Sequence, residues 1–217
     1  AAIIQSYWSM LLGALGKTLL LTLLSLFFAM IIGMIFALMN VGRSRVCNCI
    51  GTIYVDAVRG VPLIVLAYFI YFGVPAGIKM MGIQDFRLSA LQAGTIALSM
   101  NCGAYMAEII RAGIESVDKG QMEASRSLGL SYGKSMRLVV IRTMIPSIIN
   151  QFIITLKDTS ILSVIGFPEL TNMGKTISGN TFKSLQTWAI VGIMYMVIII
   201  TLSKIAKKIE RRIKRGR

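Results

Sequence analysis

The 217-residue sequence contains no histidine, only nine acidic side chains, four prolines and three cysteines. Without histidine there is no Ser–His or Cys–His pair to activate a nucleophile, and the serines are scattered rather than set beside a base. Metal chemistry fares no better. Cys47 and Cys49 form a C-x-C, which is not a zinc spacing, and Cys102 stands alone. Charge is also scarce: 15% of residues are charged, where a soluble domain has about 25%.

Apolar sequence fills the space left by these absences. The chain is 55% hydrophobic, with mean hydropathy +0.73. No charged residue occurs within 18–42, 60–78, 88–107 or 184–203. Each run has about the 20 residues that an α-helix needs to cross a hydrocarbon core of roughly 30 Å. A fifth apolar region, 138–167, is interrupted by Lys157 and Asp158. A helix that breaks there fits the pattern, because unpaired backbone at membrane depth is tolerated only against protein or a water-filled cavity. The first run is too long for a signal h-region and has no basic segment before it, so we expect a span rather than a cleaved leader.

The expected fold is therefore an all-α membrane protein forming one transmembrane domain over 1–217. Its five spans cover about 12–40, 52–73, 88–110, 138–167 (broken near 157–160) and 184–204. Basic residues choose the orientation. Residues 1–11 carry none, whereas the third loop has Arg111, Lys119, Arg126, Lys134 and Arg137. The tail 204–217 has Lys204, Lys207, Lys208, Arg211, Arg212, Lys214, Arg215 and Arg217. That bias puts the N-terminus outside, and the loop 111–137 and the C-terminus in the cytoplasm. Cys47 and Cys49 then face a reducing compartment as free thiols. The net charge of +14 is concentrated in a juxtamembrane tail, where anionic lipid attracts each cation by about 1 kcal/mol. With no base-reading motif, nucleic acid is not an expected partner.

An ATP-using chain needs a phosphate-binding loop. Gly16-Lys17-Thr18 and Gly174-Lys175-Thr176 imitate its end, but Leu11 and Glu169 stand where the earlier glycine must be. The chain is thus not expected to be an enzyme or to hold a cofactor itself. The third loop carries more information. Residues 120–128 read as a short helix of small and polar residues with Gly129 as its C-cap. Such a helix either simply links two spans or sits closely in a groove on another protein.

This stretch resembles the EAA loop of ABC-transporter permeases, whose coupling helix docks into a cytoplasmic ATPase. Glu123, Ala124 and Gly129 match the motif, with Ser125 in place of its second alanine. The stretches 54–63 (YVDAVRGVPL), 108–121 (EIIRAGIESVDKGQ) and 157–170 (KDTSILSVIGFPEL) are similar to the polar amino-acid permeases, in the same order and spacing. One departure is that Ile141 and Arg142 stand where the family has Leu-Pro, and a proline arrives only at Pro146.

The resemblance implies the transmembrane fold of a type I ABC importer in a bacterial-type cytoplasmic membrane. It implies a second permease copy or homologue and two ATP-binding subunits carrying ATP and magnesium. An extracytoplasmic binding protein would deliver the amino acid, and transport would proceed by alternating access. Gly120, Glu123, Ala124, Ser125, Ser127, Leu128 and Gly129 would form the docking helix. The rival is a self-sufficient ion-coupled carrier. Such carriers usually show an inverted repeat, and neither five spans nor this sequence divides that way.

Charged groups within spans usually face a bundle interior or cavity. The candidates for substrate contact are Asp158 with Thr159 and Ser160 at the break, Glu108, Asn101 and Ser99 on the third span, and Asp56. Asn101, Tyr105 and Glu108 are spaced by four and three and share a helix face. Each has a structural alternative: Asp158 pairing with Lys157, Glu108 with Arg111, Asp56 with Arg59, and Asn101 bonding between helices. Two or three of these carboxylates in one cavity would call for a basic substrate such as arginine, lysine or histidine.

Overall fold

The computed structural model describes residues 2–215, apart from the side chains of 2–4, 119, 137–140, 142 and 212–215. Arg142, which stands in the place of the family's proline, is thus outside the described side chains, as are the loop cations Lys119 and Arg137 and the tail cations from Arg212 onward. Among the described residues the chain is helical throughout, with no strand.

Helix α1 (Ala2–Val41) runs 40 residues, about 60 Å at 1.5 Å per residue. It takes in the segment 2–11, which was expected to be a tail. Helix α2 (Arg45–Gly60) starts at Ser44, whose hydroxyl accepts a bond from the Cys47 N–H. The expected span 52–73 is not one helix. Val61 and Pro62 are both extended, at ψ 127° and 138°, because a proline pushes the residue before it out of the helical region. The apolar helix begins only after them, with α3 (Leu63–Tyr68), a π stretch (Phe69–Gly73) and α4 (Val74–Met80). Pro75 lies just past the π stretch; it has no N–H to offer the carbonyl of Tyr71, and its ring crowds that carbonyl.

Helix α5 (Ala90–Glu115) opens with a capping box. The Gln92 N–H donates to the Ser89 hydroxyl, and the Ser89 N–H donates to the Gln92 side chain. It is the central element, burying Ala93, Gly94, Ala97, Ala104 and Ala107 among others. Small residues let α1 approach closely. A Cβ on Gly33 would lie 2.5 Å from Met106 Cβ, and one on Gly103 would lie 2.7 Å from Ile32 Cγ2. Close approach through small residues is the usual basis of helix association in lipid, where no hydrophobic effect drives helices together.

Helix α6 (Lys119–Ser127) is followed by α7 (Tyr132–Asp158), which contains Pro146. The expected interruption near 157–160 is a tightening: α7 passes directly into a 3₁₀ segment, Thr159–Ile165, that ends at Gly166 with φ 77°. Helix α8 (Leu170–Thr181) is capped by Glu169, and its first N–H, that of Leu170, donates to the Thr18 hydroxyl of α1. Helix α9 (Ser184–Arg215) packs on α7 and α8 and buries almost nothing.

Among the described residues four segments are long and apolar enough to cross a membrane: Gln5–Val41, Leu63–Met80, Thr143–Ile165 and Ser184–Arg211. Helix α5, which covers the expected third span, is not one of them.

Candidate functional site

Helices α2, α5 and α7 line an open cavity of about 460 Å³. The end of α2 contributes Arg59, α5 contributes Tyr105 and Glu108, and α7 contributes Ser147, Asn150 and Gln151. The sequence positions these groups simply. Tyr105 and Glu108 are three apart on α5, and Ser147, Asn150 and Gln151 are spaced by three and one on α7, just after Pro146, so each set presents one face.

A ladder of charges runs down from the cavity wall. Arg59 lies 4.0 Å from the Glu108 carboxylate, and its guanidinium sits 5.2 Å from the centre of the Tyr105 ring. Arg111 grips both Glu108 oxygens, with Nε at 3.1 Å, and reaches Glu115 on the following turn. Residue Ser116 then ends α5, and Asp118 caps α6.

On the α7 side, Gln151 is 5% exposed. Among the described residues its amide nitrogen has one partner, the Cys102 sulfur at 4.0 Å. Thr155 donates to the same sulfur at 3.1 Å, tying α5 to α7 behind the cavity.

Of the expected substrate contacts, Glu108 is the one that lines this cavity. Asn101 is buried on α5, one turn before Tyr105, and does not line it. Ser99 faces a separate, apolar groove of about 410 Å³ beside Leu24, Phe28 and Met100, and its hydroxyl donates to the Thr95 carbonyl. Asp56 is exposed on α2. The pairing of Asp56 with Arg59 is not what forms; Arg59 turns to Glu108 on the neighbouring helix. Asp158 is half-buried at the end of α7. Thr159 and Ser160 donate their hydroxyls to the carbonyls of Leu156 and Lys157, local bonds that steady the 3₁₀ turn. A cluster of carboxylates in one cavity, the condition for a basic substrate, is therefore not what the chain builds.

Sequence reasoning offered Arg59 as a partner for Asp56 and, beside Lys157 or free backbone amides at the helix break, as a partner for a substrate α-carboxylate. Of these two cations Arg59 is the one that lines the cavity. Sequence reasoning missed Ser147, Asn150 and Gln151. The signal was present on α7: three hydrogen-bonding side chains within five residues of the largely apolar stretch that follows Pro146. It also missed Glu169, which is fully buried. Its carboxylate accepts the N–H groups of Thr171 and Asn172, at 2.7 and 2.6 Å, and the Tyr195 hydroxyl at 2.7 Å. Burial pushes this carboxyl up from its ordinary value, and those three bonds pull it back.

The second surface of interest is α6. Asp118 accepts the N–H groups of Gly120 and Gln121 at its start. At its end the Leu130 N–H reaches the Ser125 carbonyl and the Gly129 N–H reaches that of Arg126, with Gly129 at φ 80°. That is the Schellman pattern, and glycine adopts its left-handed residue without strain. Gly120, Glu123, Ala124, Ser127 and Gly129 are exposed, and Ser125 is half-buried with its hydroxyl on the Met122 carbonyl. Leu128 is 83% exposed at the helix end.

Residues 29–215 match the family model described as "Binding-protein-dependent transport system inner membrane component". The chain is 35% identical over 201 residues to the glutamine transport system permease protein GlnP of Escherichia coli K12, covering 91% of this chain and 90% of that one. It is 33% identical to the arginine transport system permease protein ArtQ of Bacillus subtilis (94% and 92% covered), and 36% identical to that organism's L-cystine transport system permease protein TcyB (97% and 89%). A crystal structure of an amino acid ABC transporter with histidines superposes with TM-score 0.85 at 35% identity, over 96% of both chains. An inward-facing MetNI methionine ABC transporter shares the fold at TM-score 0.73 and 20% identity, over 96% of this chain and 98% of that one. With the family model spanning most of the chain and the relatives aligned nearly end to end, the protein belongs to the family of inner-membrane components of binding-protein-dependent transport systems.

Proposed function

We propose that the chain is the permease subunit of an ATP-driven amino-acid importer, with its substrate pathway passing the cavity between α2, α5 and α7. Helix α5 acts as a span too, third in chain order and sheltered from lipid by its neighbours, which brings the total to five. The N-terminus lies outside, and α6 lies on the cytoplasmic face. There α6 docks into an ATP-binding subunit, two of which serve a pair of permeases, and a binding protein delivers substrate from the other side. ATP and magnesium reside in the partner. Closure of the ATPase pair moves α6 and rocks the permeases between inward- and outward-facing states; transport requires that substrate be held better in one state than in the other.

The observation that carries this reading is α6 itself. It is a separately capped helix at both ends that leaves small side chains and the knob of Leu128 exposed. A self-sufficient carrier has no use for such a surface, and the family relationship does not favour one. The test is a mild-detergent pull-down of the tagged chain from its native membranes, with ATPase activity assayed on the eluate. Recovery of an ATPase that is lost on replacing Glu123 and Gly129 together supports docking through α6. Recovery of the chain alone, still competent for amino-acid uptake, overturns it.

A further inference from the structure

We propose that the cavity between α2, α5 and α7 selects an α-amino acid whose side chain carries no net charge, with Arg59 receiving the α-carboxylate and Glu108 the α-ammonium. This rests on the importer reading above and narrows its substrate class.

The Arg59–Glu108 pair is loose, at 4.0 Å. A zwitterion carries both complementary charges on one carbon, so it can enter the gap and satisfy both side chains. Each is prepared for this. The Arg59 guanidinium lies against the Tyr105 ring, which leaves its N–H edge free to face a carboxylate. Arg111 fixes the Glu108 oxygens, and a carboxylate held in this way retains unused lone pairs for an ammonium.

Charge balance then decides what the rest of the ligand can be. Arg59 and Arg111 oppose Glu108 and Glu115, so the ladder is neutral before and after a zwitterion binds. Beyond it the cavity offers Ser147, Asn150 and Gln151. All are neutral, and Gln151 is a buried amide with, among the described residues, a single weak sulfur partner. Such groups suit an amide or hydroxyl. Among the described residues lining this part of the cavity, a cationic or anionic side chain would meet no counter-ion of its own. Among the described side chains of α7 the acidic one is Asp158, seven residues beyond Gln151 and so about 10 Å further along the axis. The Thr155–Cys102 contact lies between them. Lys157, next to Asp158, is exposed and outside the cavity.

The experiment is equilibrium binding of radiolabelled L-glutamine, L-arginine and L-glutamate to the permease–ATPase complex in nanodiscs, with no binding protein present. L-glutamine should bind roughly tenfold or more tightly than either charged amino acid, the scale expected for an unpaired buried charge. Arg59→Gln should weaken glutamine and raise arginine relative to it, whereas Arg59→Lys should keep the wild-type order. Asp158→Asn should also keep that order. Preference for arginine in the wild type, abolished by Asp158→Asn, overturns the proposal. So does failure of all three ligands to bind while the ATPase is still recovered through α6, a result that leaves the importer reading standing. Loss of the ATPase from the wild-type complex counts against the importer reading instead.

Discussion

Helices α5 and α9 are both long, yet they meet opposite surroundings. α9 buries almost none of its apolar stretch, and its Ile193, Met196, Val197 and Ile200 are exposed. α5 is packed on several sides by α1, α2 and α7, and its buried positions are largely alanine, glycine and serine. A hydropathy criterion selects α9 and passes over α5. The difference teaches that hydropathy records contact with lipid, whereas a central helix of a membrane bundle is built for close approach to other helices and for the polar groups of a pathway. Glu108 is the charged group of α5 that lines the cavity.

Size substitutions at glycine test the contrast most sharply. Gly103→Leu and Gly33→Leu force atoms into the α1–α5 contact, where even a methyl group meets Ile32 or Met106. Overpacking of this kind costs about 1–3 kcal/mol, or more when backbones must part. Fluorescence-detected size exclusion after a heating series should show both variants losing the monodisperse species first. Glu169 provides an intermediate effect. Glu169→Gln leaves at least one of its three donors without an acceptor, at a cost of about 1–3 kcal/mol, read as a lowered midpoint in the same series.

Its acidity adds a pH signature. The folded-state value is raised by burial, so the unfolded chain releases the proton first, at about 4.3. Stability contributed by Glu169 therefore falls as pH rises from there through the raised folded value, and is level beyond it. The Gln variant should lack this slope. The smallest effect is expected on α9. A Cβ on Gly192 meets nothing within 4 Å, so Gly192→Leu should change stability by no more than about 0.5 kcal/mol. A large loss there would mean that this face of α9 is a protein interface.

Much of this architecture was legible beforehand for reasons that the same helices make clear. The end of helix α6 could be read from Gly129, because a left-handed C-cap has a local chemical cause. The change of helix type after Asp158 followed from charge within an apolar run. Pro62, with the charges of Asp56 and Arg59 just before it, carried the split of the second span, and the expected span 52–73 ran across all three. The Arg59–Glu108 pair was not visible, since its members are 49 positions apart and local spacing offered each a nearer partner, Asp56 and Arg111. Only Glu108 took its local partner as well. Glu169 looked like a loop acid because its third bond comes from Tyr195, on the far side of α8 in the sequence.

The central claim is that this chain transports an amino acid only when driven through α6. The direct measurement is uptake of radiolabelled L-glutamine into proteoliposomes containing the permease, its ATPase and the binding protein, with and without internal ATP and with no ion gradient. ATP-dependent accumulation, abolished when Glu123 and Gly129 are replaced while the permease remains folded, is the predicted result. Accumulation that ignores ATP and the α6 substitutions but follows an imposed ion gradient would contradict the account.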